Sequence, residues 1–305
     1  MNRAIVTGAA GFVGYHLMLE LINCDYEVLA VVRSKEESDK ISALKKENIE
    51  ISVCEIPNFE NLYNIASGVY DVFFHFAWAG VSGESSKNFA VQMNNVQNAI
   101  KAVQVAKRLH CKRFLGAGSL QEIECIMEME QSKQVVNLGN YYKIAKLAAH
   151  YFCKLEALQQ DIDFLWPRLT NTYGAGEVSS RLINSTIRKL LKGESPAFTE
   201  ATQLYNFIYI TDAARAYRLI GEIGISNSSY ILGSEDVRPL REYLLKIQSI
   251  VNPSIEMRFG EYDFQGISLP KNHLHDDRFF SDTGFSTTIS FDEGIELTRK
   301  FILGA

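Results

Sequence analysis

Tyr142 and Lys146 stand four residues apart, and Ser119 lies 23 residues before the tyrosine. On a helix a spacing of four puts both side chains on one face. An ammonium beside a phenol favours the phenolate, so Lys146 is expected to draw the Tyr142 pKa below its usual value of about 10. Such a phenol exchanges a proton with a carbonyl or hydroxyl near neutral pH. Ser119 offers a hydroxyl that can hydrogen-bond the same oxygen and turn it toward Tyr142. Tyr141 is a rival phenol, but the residue four places on from it is Ala145. A second constellation opens the chain: Thr7-Gly8-Ala9-Ala10-Gly11-Phe12-Val13-Gly14 follows an apolar strand pattern and begins a helical one. The first glycine permits a tight turn, the second lets backbone approach a pyrophosphate, and the third lets helix and strand pack closely. The helix N-terminus supplies N–H donors to the anion. Gly8, Ala10, Gly11, Phe12, Val13 and Gly14 are therefore expected around the phosphates of a dinucleotide.

These groups need elements to hold them. Short apolar runs at Ala4–Val6, Val28–Val32, Ile49–Val53, Val69–Trp78, Arg113–Leu115 and Phe164–Trp166 read as parallel strands buried on both faces. Helical patterns at Phe12–Ile22, Glu36–Lys46, Phe59–Ala66, Phe89–Leu109 and Tyr142–Leu158 lie between them. The alternation predicts an α/β fold, a doubly wound parallel Rossmann sheet with a smaller C-terminal substrate-binding lobe. After Asn171 the rhythm breaks, with a loop signal at Tyr173–Gly176, a helix at Arg181–Leu191, a strand at Asn206–Ile210, and Thr211-Asp212 placed to cap a helix reaching Ile220. The expected division is residues 1–170 as the dinucleotide-binding domain, with 206–223 returning to it, and 171–205 and 224–305 as the substrate lobe.

The bulk composition closes off other classes. A net charge of −5 gives no reason to expect a nucleic acid or an anionic membrane as partner. No apolar stretch approaches the roughly 20 residues of a membrane span, and a strand pattern beginning at Arg3 leaves no signal peptide, so a cytoplasmic location is expected. Five scattered cysteines, Cys24, Cys54, Cys111, Cys125 and Cys153, form no CxxC pair, which points to reduced thiols and no zinc site. His273-Leu274-His275-Asp276-Asp277 reads as a solvated loop rather than a metal cluster, and His75 as a core histidine.

The end of the second strand decides the nucleotide. A carboxylate there favours the ribose 2′-OH of NAD, and a cation favours the 2′-phosphate of NADP. The chain reads Arg33-Ser34-Lys35 with no carboxylate before Glu36. Arg33 can take a phosphate bidentately, with Ser34 or Lys35 assisting. NADP(H) is expected over NAD.

The TGxxGxxG spacing with Ser119 and YxxxK resembles the short-chain dehydrogenase/reductase superfamily, and within it the extended branch that modifies nucleotide sugars. The resemblance covers nearly the whole chain. It implies that Glu55 and Ile56 hold the adenine, that Phe76-Ala77-Trp78 runs beneath the pyrophosphate and nicotinamide ribose, and that Asn95 props up the active-site backbone. It implies that Lys146 also binds the nicotinamide ribose. Arg168–Gly174 resembles the family's RxxNxYG stretch, so Asn171 is expected at the substrate. The family's Arg-Asp pair before the next strand is replaced by Tyr205-Asn206. Since that arginine usually meets the substrate diphosphate, Arg181 or Arg278 is expected to substitute.

The branch contains dehydratases, epimerases and ketoreductases. Dehydratases carry Thr-Asp-Glu where this chain has Ser119-Leu120-Gln121; Leu120 and Gln121 have no titrating proton, and Glu122 falls one place late. The expected activity is reduction of a nucleoside-diphosphate 4-keto-6-deoxy sugar by NADPH, with Ser119, Tyr142 and Lys146 as catalytic residues. The alternatives are a 4-epimerase that retains its NAD(P) and, further off, an NADP-binding sensor without turnover. The resemblance also implies a homodimer through the helices at Phe89–Leu109 and Tyr142–Leu158.

Overall fold

Strands rich in Val, Ile and Phe alternate with amphipathic helices through the first half of the chain, in the order β1 (Asn2–Thr7), α1 (Phe12–Asn23), β2 (Tyr26–Val32), α2 (Lys35–Ser42), β3 (Ile49–Val53), β4 (Val72–His75), α3 (Phe89–Arg108), β5 (Arg113–Gly116), β6 (Gly118–Ser119), α4 (Gln121–Glu130), α5 (Asn140–Gln160) and β7 (Asp163–Leu165). Then follow β8 (Arg168–Leu169), β9 (Asn171–Tyr173), α6 (Leu182–Leu191), β10 (Leu204–Tyr209), α7 (Ile210–Ile223), β11 (Ile231–Leu232), β12 (Val237–Pro239), α8 (Leu240–Val251), α9 (Asp277–Thr283) and α10 (Phe291–Leu303). The computed structural model describes residues 2–64, 68–130 and 140–304, the side chains at 56, 57, 60 and 64 excepted.

Six strands form one parallel sheet in the order β3-β2-β1-β4-β5-β7. Successive side chains of a strand face opposite sides. Ala4 and Val6 accordingly pack with Leu17, Met18 and Leu21 of α1 and Ala213, Tyr217 and Ile220 of α7 on one side. Ile5 packs with Phe73, Phe114, and the buried stripes of α3 and α5 on the other. Strand order reverses between β1 and β4, and such a reversal opens a crevice beyond the carboxyl ends of the strands. Thr7, Val31 and His75 meet in register there. Two small sheets, β12-β10-β9 and β11-β8-β6, extend the crevice. A further core of aromatic and aliphatic side chains lies among β9, β10, α6, α8 and α10.

The structure departs from the sequence reading at several points. Of the apolar run Val69–Trp78 only Val72–His75 is strand, because Phe76–Trp78 leaves the sheet to line the crevice. The Phe59–Ala66 pattern gives a 3-10 helix over Ile56–Asn64, and residues 65 and 66 lie outside the described residues. Asp212 does not cap its own helix; its carboxylate accepts from the backbone N–H groups of Thr288 and Ile289 and pairs with Arg215, tying the C-terminal segment to α7. Helix α4 was not expected. The core of the main sheet also takes in Tyr230, Leu232, Phe279 and Phe285, which fall in the stretch assigned from sequence to the substrate lobe. Among the described residues no helix is long and apolar enough to cross a membrane, and no group of His, Cys, Asp or Glu could hold a metal ion. Cys54, Cys111, Cys125 and Cys153 are buried, Cys24 is half-buried, and none of the five is in a disulfide.

Candidate active site

The glycine turn is built for close approach. Gly8 adopts φ +69°, and a Cβ there would sit 2.8 Å from the Ala77 nitrogen. A Cβ on Gly14 would sit 2.3 Å from the Gly8 carbonyl oxygen, so α1 packs against the turn only because that atom is missing. The Gly11 N–H closes the turn on the Gly8 carbonyl at 3.0 Å. Beside the turn lies a cavity of about 610 Å³, walled by Gly8, Gly11, Arg33, Ser34, Glu55, Phe76, Ala77, Trp78 and Asn95 among others. It runs into a second space of about 270 Å³ that Phe12, Val13, Gly14, Tyr142 and Lys146 help to line. An elongated groove over a bare glycine turn and a helix N-terminus fits a dinucleotide. Ala10 lines neither space; its carbonyl accepts from the Lys40 ammonium at 3.4 Å. The Ile56 side chain lies outside what the structure describes.

At the far end of the groove the sequence reading missed a carboxylate. Ser34 caps α2 by accepting from the Glu37 N–H. The first turn of that helix brings Glu37 back onto Arg33, with Oε1 2.7 Å from the guanidinium Nε and Oε2 3.1 Å from the backbone nitrogen. Glu37 lines the groove too. The signal was Ser34-Lys35-Glu36-Glu37, an S-x-x-E capping pattern whose glutamate folds back over the start of the helix.

Asn95 and Gln92, both buried on α3, hold the loop after β4. Asn95 accepts from the Ala79 N–H at 3.0 Å and donates to the Ala79 carbonyl at 2.7 Å. Gln92 accepts from the Trp78 indole N–H at 3.0 Å and donates to the Gly80 carbonyl at 2.8 Å. His75 meets Thr7 Oγ1 at 2.9 Å through Nδ1, while its buried Nε2 has no partner. Burial pushes its pKa down to about 3, so the imidazole is neutral.

Tyr142 and Lys146 project from one face of α5, the phenol toward Ser119 and the ammonium toward the Ala117 carbonyl. Trp78 meets the Tyr142 ring edge-on, with centroids 6.2 Å apart. Lys146 is buried, donates to the Ala117 carbonyl at 2.8 Å and sits 3.6 Å from the centre of the Trp78 ring. The expected depression of the Tyr142 pKa by Lys146 is not what this geometry produces. Burial pushes Tyr142 up to about 12, opposed by a hydrogen bond from Ser119 and the charge of Arg181, and the Lys146 ammonium lies 6.0 Å from the phenol ring centre. Burial instead pulls Lys146 down to about 7, against the charge of Glu122. Tyr141 points elsewhere: it is exposed and its ring meets Phe89 of α3 at 5.9 Å.

Beyond Tyr142 opens a cavity of about 510 Å³ lined in part by Ser119, Leu120, Gln121, Asn171, Arg181 and Tyr205. Asn171 donates to the Asn206 carbonyl at 3.2 Å. Arg181 stands just before α6, 3.9 Å from Glu177. Arg278 does not reach this space; its guanidinium lies 5.8 Å over the Tyr230 ring and 3.8 Å from Asp276. Where the family pattern has Arg-Asp, Tyr205 stacks on Phe207 at the cavity wall, and Asn206 is a structural hub, donating to the Ser234 and Leu274 carbonyls and accepting from the Ser234 N–H. Two buried polar atoms at this cavity have no partner, Thr172 Oγ1 and Asn184 Oδ1. Glu124 lines it as well, but is paired with Lys143 at 3.0 Å.

Outside the cleft, Phe89 and Met93 on α3 and Ile144, Tyr151, Phe152, Leu155 and Leu158 on α5 are all exposed. The two helices pack against each other.

Comparison with known proteins places this architecture. The model of the NAD dependent epimerase/dehydratase family matches residues 4–233. The chain is 23% identical to CDP-abequose synthase of Salmonella muenchen over 302 residues, 97% of this chain and 96% of that one. It is 23% identical to 47% of a trifunctional UDP-glucose 4,6-dehydratase, UDP-4-keto-6-deoxy-D-glucose 3,5-epimerase and UDP-4-keto-L-rhamnose reductase of Arabidopsis thaliana, the match taking in 98% of this chain. The crystal structure of UDP-glucuronic acid 4-epimerase from Bacillus cereus in complex with NAD superposes with a TM-score of 0.77 over 99% of both chains at 19% identity, a likeness of fold.

Proposed function

The chain belongs to the NAD dependent epimerase/dehydratase family, and we propose that it reduces the 4-keto group of a nucleoside-diphosphate 4-keto-6-deoxy sugar at the expense of NADPH. The observation that carries the proposal is the position of Tyr142. It lines both the space continuous with the dinucleotide groove and the polar cavity beyond it. A bound nicotinamide supplies the hydride. Gly8, Gly11 and the start of α1 hold the pyrophosphate, Glu55 lies at the adenine end, and Arg33 and Ser34 take the 2′-phosphate. Lys146 binds the nicotinamide ribose.

Tyr142 retains its proton at neutral pH, because burial has raised its pKa. That is the form a reduction needs, since an alkoxide is more basic than a phenolate and takes the proton as it forms. Ser119 orients the carbonyl and stabilises the charge that develops on its oxygen. Asn171 and Arg181 hold the substrate, with Arg181 as the cation facing the diphosphate. Dehydration has no support here: Leu120 and Gln121 do not titrate, and Glu124 is paired with Lys143. The name of the Arabidopsis relative joins a dehydratase, an epimerase and a reductase of nucleotide sugars, and the match to 47% of that protein supports a nucleotide-sugar substrate. The exposed apolar faces of α3 and α5 support a homodimer.

A 4-epimerase that retains NAD is the second reading. It is favoured by the Glu37 carboxylate at the ribose end of the groove, which suits a 2′-hydroxyl better than a 2′-phosphate. Incubation of the purified protein with NADPH and 4-keto-6-deoxy nucleotide sugars of each base tests the proposal. Stoichiometric loss of nicotinamide absorbance with one of them is expected. Interconversion of two 4-hydroxy isomers with no net loss would establish the epimerase instead.

A further inference from the structure

We propose that Glu122 is a positioning residue for this reaction: its buried carboxylate locks Ser119 to the helix that carries Tyr142 and Lys146. From sequence, Glu122 stands one place late for acid–base work on a substrate. The structure turns its side chain inward, with no solvent exposure at all. Oε1 accepts from the backbone N–H of Ser119 itself at 2.8 Å and from the Trp166 indole N–H at 3.0 Å. Oε2 accepts from Arg168 Nε at 3.0 Å and lies 3.2 Å from His150 Nδ1. One carboxylate thus joins the loop of Ser119, the β7–β8 segment and α5. His150 lies four residues past Lys146 and eight past Tyr142, on the same helical face, and stacks on Trp166 with centroids 5.3 Å apart and planes 6° apart. Trp166 in turn fills the room left by two glycines before Ser119: a Cβ on Gly116 would meet it at 2.2 Å, and one on Gly118 at 2.7 Å.

A carboxylate held by charge-assisted bonds in a dry site is a stiff strut, and an incompletely satisfied one is costly. Burial alone would raise its pKa; the His150 hydrogen bond and the Arg168 charge hold it below the usual carboxylate range, so it is ionised when the enzyme works. Its charge reaches the cleft. Lys146 faces Trp78, the Ala117 carbonyl, neutral His75 and Cys153, and Tyr142 faces Ser119 and Arg181. Against those neighbours the Glu122 charge raises the pKa of both Lys146 and Tyr142, favouring the protonated forms.

The inference rests on the proposed roles of Ser119, Tyr142 and Lys146. It is tested on Glu122→Gln, which keeps the shape and removes the charge. Because kcat/KM reports groups of the free enzyme, loss of the Glu122 charge should move the basic limb set by Lys146 about one unit toward lower pH, while kcat falls about 100-fold with KM changed less than about threefold. A side chain that only braced the fold would lower the amount of active protein and leave the limb in place. If the single variant does not fold, Glu122→Gln with Arg168→Met removes the stranded cation and is read in the same way. A folded variant with an unmoved limb and nearly unchanged kcat overturns the proposal. Tyr142→Phe is run beside it: wild-type turnover there defeats the assignment of Tyr142, whatever the Glu122 variants show.

Discussion

Lys146 stacks its ammonium 3.6 Å from the centre of the Trp78 ring while donating to the Ala117 carbonyl. A buried ammonium with one hydrogen bond and one aromatic face is held where water would hold it better, and its pKa drops from 10.5 to about 7 for that reason. The folded-state pKa is below the unfolded one, so the fold prefers the neutral amine. The penalty is absent above about pH 10.5, grows as pH falls and is complete below about pH 7. Cation–π and hydrogen-bond contacts, about 1–2 kcal/mol each, offset part of it.

Lys146→Met should therefore abolish turnover and stabilise the free protein. At pH 7 and below we expect Tm to rise by about 2–4 °C, with the gain shrinking as pH climbs toward 10. A melting series across pH checks it. A variant less stable than the parent at pH 6 would show that Lys146 is not held at a cost.

The two adjacent tyrosines separate function from packing. Tyr142 is enclosed between Ser119 and Trp78, whereas Tyr141 is exposed against Phe89. Tyr142→Phe should cost at least about 100-fold in kcat, the usual size of a lost general acid, and leave nucleotide affinity within about twofold. Tyr141→Phe should keep full turnover. Steady-state rates with fluorescence titration of NADPH check both, and equal losses in the two variants would refute the assignment.

Arg33 and Glu37 predict how the nucleotide is chosen. The Arg33 side chain is 75% exposed and ion-paired with Glu37, which at 24% faces the groove. The guanidinium that would meet a 2′-phosphate is bound to the carboxylate that would repel it, so discrimination between NADPH and NADH should be weak in the parent. Glu37→Gln should tighten NADPH about tenfold, equivalent to about 1.4 kcal/mol, and loosen NADH. Arg33→Ala should loosen NADPH alone. Equilibrium titrations with both nucleotides decide it, and an unchanged affinity ratio in Glu37→Gln would remove Glu37 from the choice.

The parts of this site that could be read in the sequence are those whose contacts are local. The glycine turn, the i, i+4 spacing of Tyr142 and Lys146 and the apolar strands each follow from periodicity or backbone sterics within one element. The rest depends on folding distant segments together. Lys146 was expected to act on Tyr142, its helical neighbour; Trp78, 68 residues earlier in the chain, takes its charge. Glu122 looked misplaced because spacing from Ser119 says nothing about which way α4 turns. Arg278 looked as available as Arg181 until α9 carried it to Tyr230. Asp212 resembled a cap for its own helix, and its partners Thr288 and Ile289 lie more than 70 residues on.

Glycine substitutions test the groove without touching a polar group. At Gly14 the added Cβ would fall 2.3 Å from the Gly8 carbonyl oxygen, and neither backbone can give way without opening the turn. At Gly193 φ is +77° and nothing lies within 4 Å of the added atom, so only backbone strain opposes the substitution. Gly193→Ala should cost about 1 kcal/mol of stability and leave nucleotide binding intact. Gly14→Ala should cost about 1–3 kcal/mol as an overpacked contact and lose most affinity for NADPH and NADH alike, because the turn that presents the helix N-terminus is displaced. Denaturant unfolding with nucleotide titration of both variants separates strain from the loss of the cradle. Full-affinity binding by Gly14→Ala would mean that the pyrophosphate does not lie over this turn.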